Sequence, residues 1–179
     1  MISKIDEEPR CSILVADDDP YSLKLLANML EENGYDVRVV SNGQQVIDSA
    51  EELPPDMFML DVHMQVMDGY ETCKKLKLNE KLATIPVIFI SGLSEPFNKI
   101  RGFELGAVDY INKPFSLDEV RSRVKTHLDL ANKLRELEEM NAAMINREMR
   151  VIELKEEVNQ LAKELGREQP YQAVWQSEK

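Results

Sequence analysis

Up to about residue 125 the chain alternates short, unbroken apolar runs with longer stretches whose apolar residues recur every three or four positions. The runs predict five strands, at Cys11–Ala16, Asp36–Val40, Met57–Leu60, Val87–Ile90 and Asp109–Ile111. Continuous rather than alternating apolar residues are the mark of strands covered on both faces. The stretches between them carry helix punctuation. Asp19 can cap a helix whose first position is Pro20, Leu23, Leu26, Ala27 and Leu30 share one face of it, and Gly34 closes it. Pro54 and Pro55 end a second helix, Gly69 precedes a third and Gly106 follows a fourth. Five strand–helix repeats predict an α/β fold with a doubly wound parallel sheet, although spacing alone leaves the strand order open.

The pattern changes near residue 125. Ser116 with Glu119 three positions later is a capping box, so a helix starts at Ser116, and neither Gly nor Pro occurs from there to Gly166. At 1.5 Å per residue this is a helix of about 75 Å, far too long to cover one small sheet. From residue 130 the a and d positions of one heptad frame are Leu130, Lys133, Leu137, Met140, Met144, Arg147, Val151, Leu154, Val158, Leu161 and Leu165, nine of eleven apolar. That is a coiled-coil seam, and it predicts a homodimer. Arg150 at g would meet Lys155 at e of a parallel partner, so the direction of pairing stays open. The expected organisation is an N-terminal tail (1–9), a globular domain (10–128), a coiled-coil helix continuous with its last helix (129–166) and a loose tail (167–179) in which Tyr171 and Trp175 stand out.

Composition narrows the class. The 179 residues hold 22 basic and 33 acidic side chains, a net charge of −11. Residues 126–179 alone carry 8 basic and 11 acidic residues and no basic recognition helix, so the expectation is no direct nucleic-acid partner. Cys11 and Cys73 form no CxxC or Cys/His cluster and read as reduced thiols. With no apolar run approaching the ~20 residues that span a bilayer, the expectation is a cytoplasmic protein with no membrane contact.

The chemistry gathers at strand ends. Asp17, Asp18 and Asp19 follow the first strand and Asp61 follows the third, where open parallel sheets place their ligand crevice. Carboxylates converging there repel one another unless a cation joins them, and a hard divalent ion such as Mg²⁺, with oxygen ligands and a substrate phosphate, meets that need. One aspartate could then attack phosphorus and form an aspartyl phosphate. Asp19 alone is explained as a cap. Ser91 at the end of the fourth strand and Lys113 after the fifth add a hydroxyl donor and an ammonium, which a transferred phosphoryl group requires.

The segments ILVADDDP, PDMFMLDVHMQVMDG, PVIFISG and GAVDYINKPF, with their spacing, make residues 10–128 resemble the receiver domain of two-component response regulators. The resemblance implies a flavodoxin-like five-stranded sheet of order 2-1-3-4-5. It implies Asp61 as phosphoacceptor, and Asp17, Asp18, Asp61 and the backbone carbonyl of His63 as Mg²⁺ ligands. It further implies Ser91 and Lys113 as phosphoryl partners, Ser91 and Tyr110 as switch residues, and a cis bond before Pro114. The loop departs from the family pattern at Gln65, where Met-Pro is usual; the loss of proline bears on the loop's rigidity and the kinetics, not on the ligands. The expected function is a regulator that takes a phosphoryl group from a histidine kinase or phosphotransfer protein and signals through its C-terminal helix. It would be a phosphoacceptor that dephosphorylates itself, not a conventional enzyme. Two other readings compete. Asp17-Asp18-Asp19 loosely matches the nucleophile motif of haloacid-dehalogenase phosphatases, but Tyr21 stands where Thr or Val belongs. A silent receiver on a coiled-coil interaction protein leaves the Ser/Lys set unexplained.

Overall fold

The computed structural model describes residues 10–92 and 96–171, with residues 96–99 described as backbone only. The N-terminal tail 1–9 and residues 172–179, Trp175 among them, lie outside the described residues. The elements alternate as β1 (Ser12–Ala16), α1 (Pro20–Glu31), β2 (Asp36–Val40), α2 (Gly43–Glu52), β3 (Met57–Asp61), α3 (Gly69–Leu78), β4 (Val87–Gly92), α4 (Pro96–Glu104), β5 (Asp109–Lys113) and α5 (Leu117–Glu164). The five strands form one parallel sheet in the order β2-β1-β3-β4-β5, a doubly wound, flavodoxin-like fold. The chain divides into two units at Ala131/Asn132, within α5.

In the first unit each strand sends alternate residues to opposite faces. Leu14, Phe58, Leu60 and Phe89 pack on one face with Val46 and Ala50 of α2 and Cys73 and Leu76 of α3. Ile13, Val15, Met57, Met59, Ile88 and Ile90 pack on the other with Leu26 and Leu30 of α1 and Val120, Val124 and Leu128 of α5. Burial on both faces is why these strands read as continuous apolar runs. The caps follow the sequence. The Asp19 carboxylate accepts from the backbone N–H groups of Tyr21 and Ser22, with Pro20 at the first helical position. Ser116 Oγ accepts from the Glu119 N–H at 3.2 Å, while the Glu119 carboxylate turns to Arg123 at 3.2 Å instead of closing the box.

Three strands run further than their apolar cores. β3 takes in Asp61, β4 Ser91 and Gly92, and β5 Asn112 and Lys113. Pairing carries them on: Asp61 is in register with Ile90, Ser91 with Asn112 and Gly92 with Lys113. The polar residues therefore belong to the hydrogen-bonded ladder itself.

Two local devices sit beside this framework. Where α5 leaves the sheet, Arg123 Nη1 donates to both carboxylate oxygens of Asp109, at 2.8 and 2.7 Å, and His127 Nε2 lies 3.0 Å from one of them. Burial raises the Asp109 carboxyl, but the Arg123 fork, the Tyr110 N–H and His127 outweigh it and leave the group below its usual value. In the loop after β3, the Met67 N–H donates to the Gln65 carbonyl at 2.8 Å, closing a three-residue turn with Val66 at φ 69°. Despite the missing proline at Gln65 the loop is tightly turned, and its strain falls on an exposed β-branched residue.

The second unit comprises the rest of α5 and the short segment after it. Apolar residues of the heptad seam are exposed here: Leu137 is 54 % accessible, Val151 44 %, Val158 41 % and Leu165 71 %. Arg150 is engaged within its own helix by Glu153 at 2.9 Å and Glu157 at 3.7 Å. Gly166 (φ 67°) ends the helix, with the Arg167 N–H donating back to the Ala162 carbonyl at 2.8 Å. The chain then returns along its own helix. Tyr171 N–H donates to Asn159 Oδ1 at 3.0 Å, Asn159 Nδ2 donates to the Tyr171 carbonyl at 2.8 Å, and Lys155 stands 5.8 Å from the ring centroid. Among the described residues no helix is long and apolar enough to cross a membrane.

Two outcomes are expected. Asp109→Asn lowers stability by about 1 kcal/mol at neutral pH. Because the Asp109 pKa is lowered on folding, its contribution is present above the unfolded value of 3.8 and lost as pH falls through the lower folded value. Urea melts at neutral and strongly acidic pH check that the deficit closes in acid. Val66→Asn, which tolerates positive φ, raises stability by about 1 kcal/mol in the same assay.

Candidate functional site

The connection from β1 goes to β2 on one side, and the chain then crosses back to β3 on the other. At that reversal the carboxyl ends of β1 and β3 part and leave a crevice. Asp17 follows β1 and is wholly buried; Asp61 ends β3 and is 5 % exposed. Asp18 is exposed at the rim, and a carboxylate oxygen from each of the three lies within 4.8 Å of the others. Lys113 reaches across from β5. Its Nζ donates to Asp17 Oδ2 at 2.7 Å and to Asp61 Oδ2 at 3.1 Å. Asp17 is held on its second oxygen, where Oδ1 accepts from the Asp19 N–H at 2.9 Å.

Burial pushes the Asp61 carboxyl up, Asp17 pushes it further, and Lys113 opposes both without cancelling them. For Lys113, burial alone would lower the ammonium, but the hydrogen bond to Asp17 and the charge of Asp61 hold it above its usual value. The pocket thus has a surplus of negative charge that one lysine does not neutralise. Three hard oxygen donors within reach of one another fit a small divalent cation such as Mg²⁺. Asp19 stands apart: the Ser22 hydroxyl and the backbone N–H groups of Tyr21 and Ser22 lower its carboxyl and employ it as a cap.

The remaining sequence-predicted residues fall around this centre. Ser91 is buried at the end of β4, one residue beyond the register partner of Asp61. Gly92 beside it would meet nothing within 4 Å if it carried a Cβ, so this side of the pocket is open. His63 is exposed two residues after Asp61. The Lys113–Pro114 bond is cis. Tyr110 lies on β5 three residues before Lys113, its ring directed to the α3/α4 face of the sheet, 5.2 Å from Phe89 and 5.5 Å from Phe103.

One residue of the site carried no signal beyond a helix boundary. Gly69 opens α3 directly against the backbone of Asp61: its N–H donates to the Val62 carbonyl at 3.0 Å, and a Cβ there would strike the Asp61 carbonyl oxygen. Any side chain at 69 would displace the end of β3. The Met-Asp-Gly run before the helix is the only trace of this in the sequence.

Residues 13–125 match the response regulator receiver domain family. The chain is 44 % identical over 116 residues to the alkaline phosphatase synthesis transcriptional regulatory protein PhoP of Bacillus subtilis, which covers 65 % of this chain and 48 % of that protein. It is 40 % identical over 116 residues to the DNA-binding dual master transcriptional regulator RpaA of a Synechocystis species, with the same coverage. The signal receiver domain of a signal transduction histidine kinase from Syntrophus aciditrophicus superposes with a TM-score of 0.63 at 39 % identity, over 66 % of this chain and 90 % of that one. The chain spans about half the length of the curated relatives it matches.

These relatives correct the expectation that nucleic acid is excluded as a direct partner. PhoP and RpaA are transcriptional regulators, RpaA a DNA-binding one, and both carry the same domain. The acidity of residues 126–179 describes one helix. Charge is a local property of the surface that meets DNA, so it does not exclude DNA binding by a protein built on this domain. The haloacid-dehalogenase alternative falls for a different reason: a match over more than half of the chain, together with the Lys113 bridge between Asp17 and Asp61, leaves the lone acidic triplet nothing to explain. The chain belongs to the response regulator receiver domain family of two-component systems.

Proposed function

We propose that this chain accepts a phosphoryl group on Asp61 from the phosphohistidine of a histidine kinase or phosphotransfer protein. The observation that carries the reading is the Lys113 ammonium shared between Asp17 and Asp61, beside three carboxylates with an uncompensated negative charge. Asp17, Asp18, Asp61 and the backbone carbonyl of His63 would hold Mg²⁺, which supplies charge neutralisation for the transferring group. Asp61 is the nucleophile. Burial leaves its carboxylate poorly solvated, and Lys113 holds one of its oxygens in place. The carboxylate oxygen forms a bond to phosphorus as the P–N bond of the donor breaks, the electron pair leaving on the imidazole nitrogen. Lys113 then pairs with the new phosphoryl charge, and the Ser91 hydroxyl donates to a phosphoryl oxygen. The response passes from Ser91 to Tyr110 and the surface of α4, β5 and α5.

The helix beyond residue 128 is the output. Its exposed seam of Leu137, Met140, Met144, Val151, Leu154, Val158 and Leu161 supports a coiled-coil homodimer, in which those residues leave water. The division into a receiver (10–128), a coiled-coil helix (129–166) and a terminal segment belongs to the same reading, as does a cytoplasmic setting.

With acetyl phosphate and Mg²⁺, one phosphoryl group per chain is expected, lost in Asp61→Asn and in EDTA. Undiminished labelling of Asp61→Asn, or continuous release of phosphate from a generic ester, overturns the assignment. In light scattering the chain is expected at twice its mass of 20.6 kDa, and Leu154→Glu at the monomer mass. A monomer for the unchanged chain, with or without beryllofluoride, removes the dimer.

A further inference from the structure

Gly102 lies in the last part of α4. Its backbone does not call for glycine, since positive φ angles among the described glycines occur at Gly34, Gly106 and Gly166. Glycine is the poorest helix former after proline, so its place here needs another reason. A Cβ on Gly102 would fall on the Tyr110 hydroxyl, with the ring carbon Cζ at 2.6 Å and Phe89 Cε2 at 3.0 Å. The Tyr110 side chain therefore occupies the space that any other residue at 102 would fill.

The tyrosine is closely held in that space. It is 5 % exposed, with its ring tilted against Phe89 and edge-on to Phe103. Burial and a hydrogen bond with the Tyr70 hydroxyl raise its phenol, and the Gly102 backbone N–H also reaches its oxygen. The Ala107 N–H donates to the Gly102 carbonyl at 3.0 Å, which ties this turn of α4 to the entry of β5. A methyl group at 102 that pushes α4 away removes the Phe103 contact and the Gly102 N–H bond, both of which α4 supplies.

We propose that Gly102 is a positioning residue for the aromatic switch: its missing side chain makes the cavity that admits the Tyr110 ring, so residue 102 sets which rotamer Tyr110 takes. Gly102 touches neither the acidic pocket nor Lys113, so filling the cavity uncouples the switch from the chemistry and leaves phosphoryl uptake in place. The inference rests on the reading of Tyr110 as the switch of a phosphoryl-accepting domain.

The test uses the full chain labelled with 3-fluorotyrosine, the Tyr110 fluorine line being the one lost in Tyr110→Phe. In Gly102→Ala this line is expected to move to the position and solvent-isotope shift of an exposed ring such as Tyr21, while labelling by acetyl phosphate stays within about twofold of the unchanged chain. A line that stays at its buried position overturns the proposal. Melting temperature gives an independent check. Gly102→Ala is expected to lower it in the unchanged chain and to raise it in a Tyr110→Ala background. There the better helix former meets only Phe89 Cε2 at 3.0 Å, a ring that can give way into the space the tyrosine leaves. The same sign in both backgrounds also overturns the proposal. If the unchanged chain takes up no phosphoryl group, the proposed function fails, and the fluorine line and the sign reversal still decide the role of Gly102.

Discussion

One ammonium group holds the candidate site together. Lys113 joins Asp17, 96 positions away in the chain, to Asp61, 52 positions away. Two carboxylates this deeply buried would otherwise repel each other at close range in a medium that screens them poorly. The lysine comes from an end of the sheet order, so its reach across the crevice requires β1, β3, β4 and β5 to be parallel and in register at their carboxyl ends. Right-handed crossovers deliver that arrangement with α1 and α5 on one face and the remaining helices on the other. Fold and site are thus one requirement.

The parts of this that were legible in the sequence are those where chemistry demands a residue type at an element's end. Apolar runs marked all five strands, and the acids, Ser91 and Lys113 stood at their edges. The strand boundaries were less legible, because Asp61, Ser91 and Lys113 are poor strand formers that the ladder holds by pairing. Close approach was not legible at all. Gly69 read as a helix boundary and Gly102 as an unremarked helical glycine, since only the folded chain shows the Asp61 carbonyl and the Tyr110 ring against them. The Asp109–Arg123–His127 group joins residues 14 and 18 positions apart across a turn, a spacing no single-element periodicity reports. The missing proline at Gln65 is visible in the sequence, whereas the strain of the loop sits at the neighbouring Val66, whose positive φ no residue type there announces.

α5 lives under two burial regimes. Val120, Val124 and Leu128, spaced by four, are buried against the sheet. Beyond Leu130 the apolar residues follow a three–four alternation, and those of the seam are exposed. A spacing of four suits packing on a sheet face, whereas three–four alternation keeps a narrow seam straight along a paired helix. The change of spacing marks where burial against the sheet ends and where, in the proposed homodimer, burial against a second helix begins, close to the division at Ala131/Asn132.

The inclusion of Asp61, Ser91 and Lys113 in the strand ladder has a consequence for speed. Their backbones are pinned by inter-strand hydrogen bonds, so a change at the carboxylate cannot be relayed by hinge closure around the pocket. In the proposed mechanism it is relayed by rotamers and by the helices that rest on them. Such motions belong to timescales of roughly nanoseconds to microseconds, well ahead of domain rearrangements. Under the proposed phosphoryl transfer to Asp61, the switch itself is then fast and the duration of the signal is set by the lifetime of a single covalent bond.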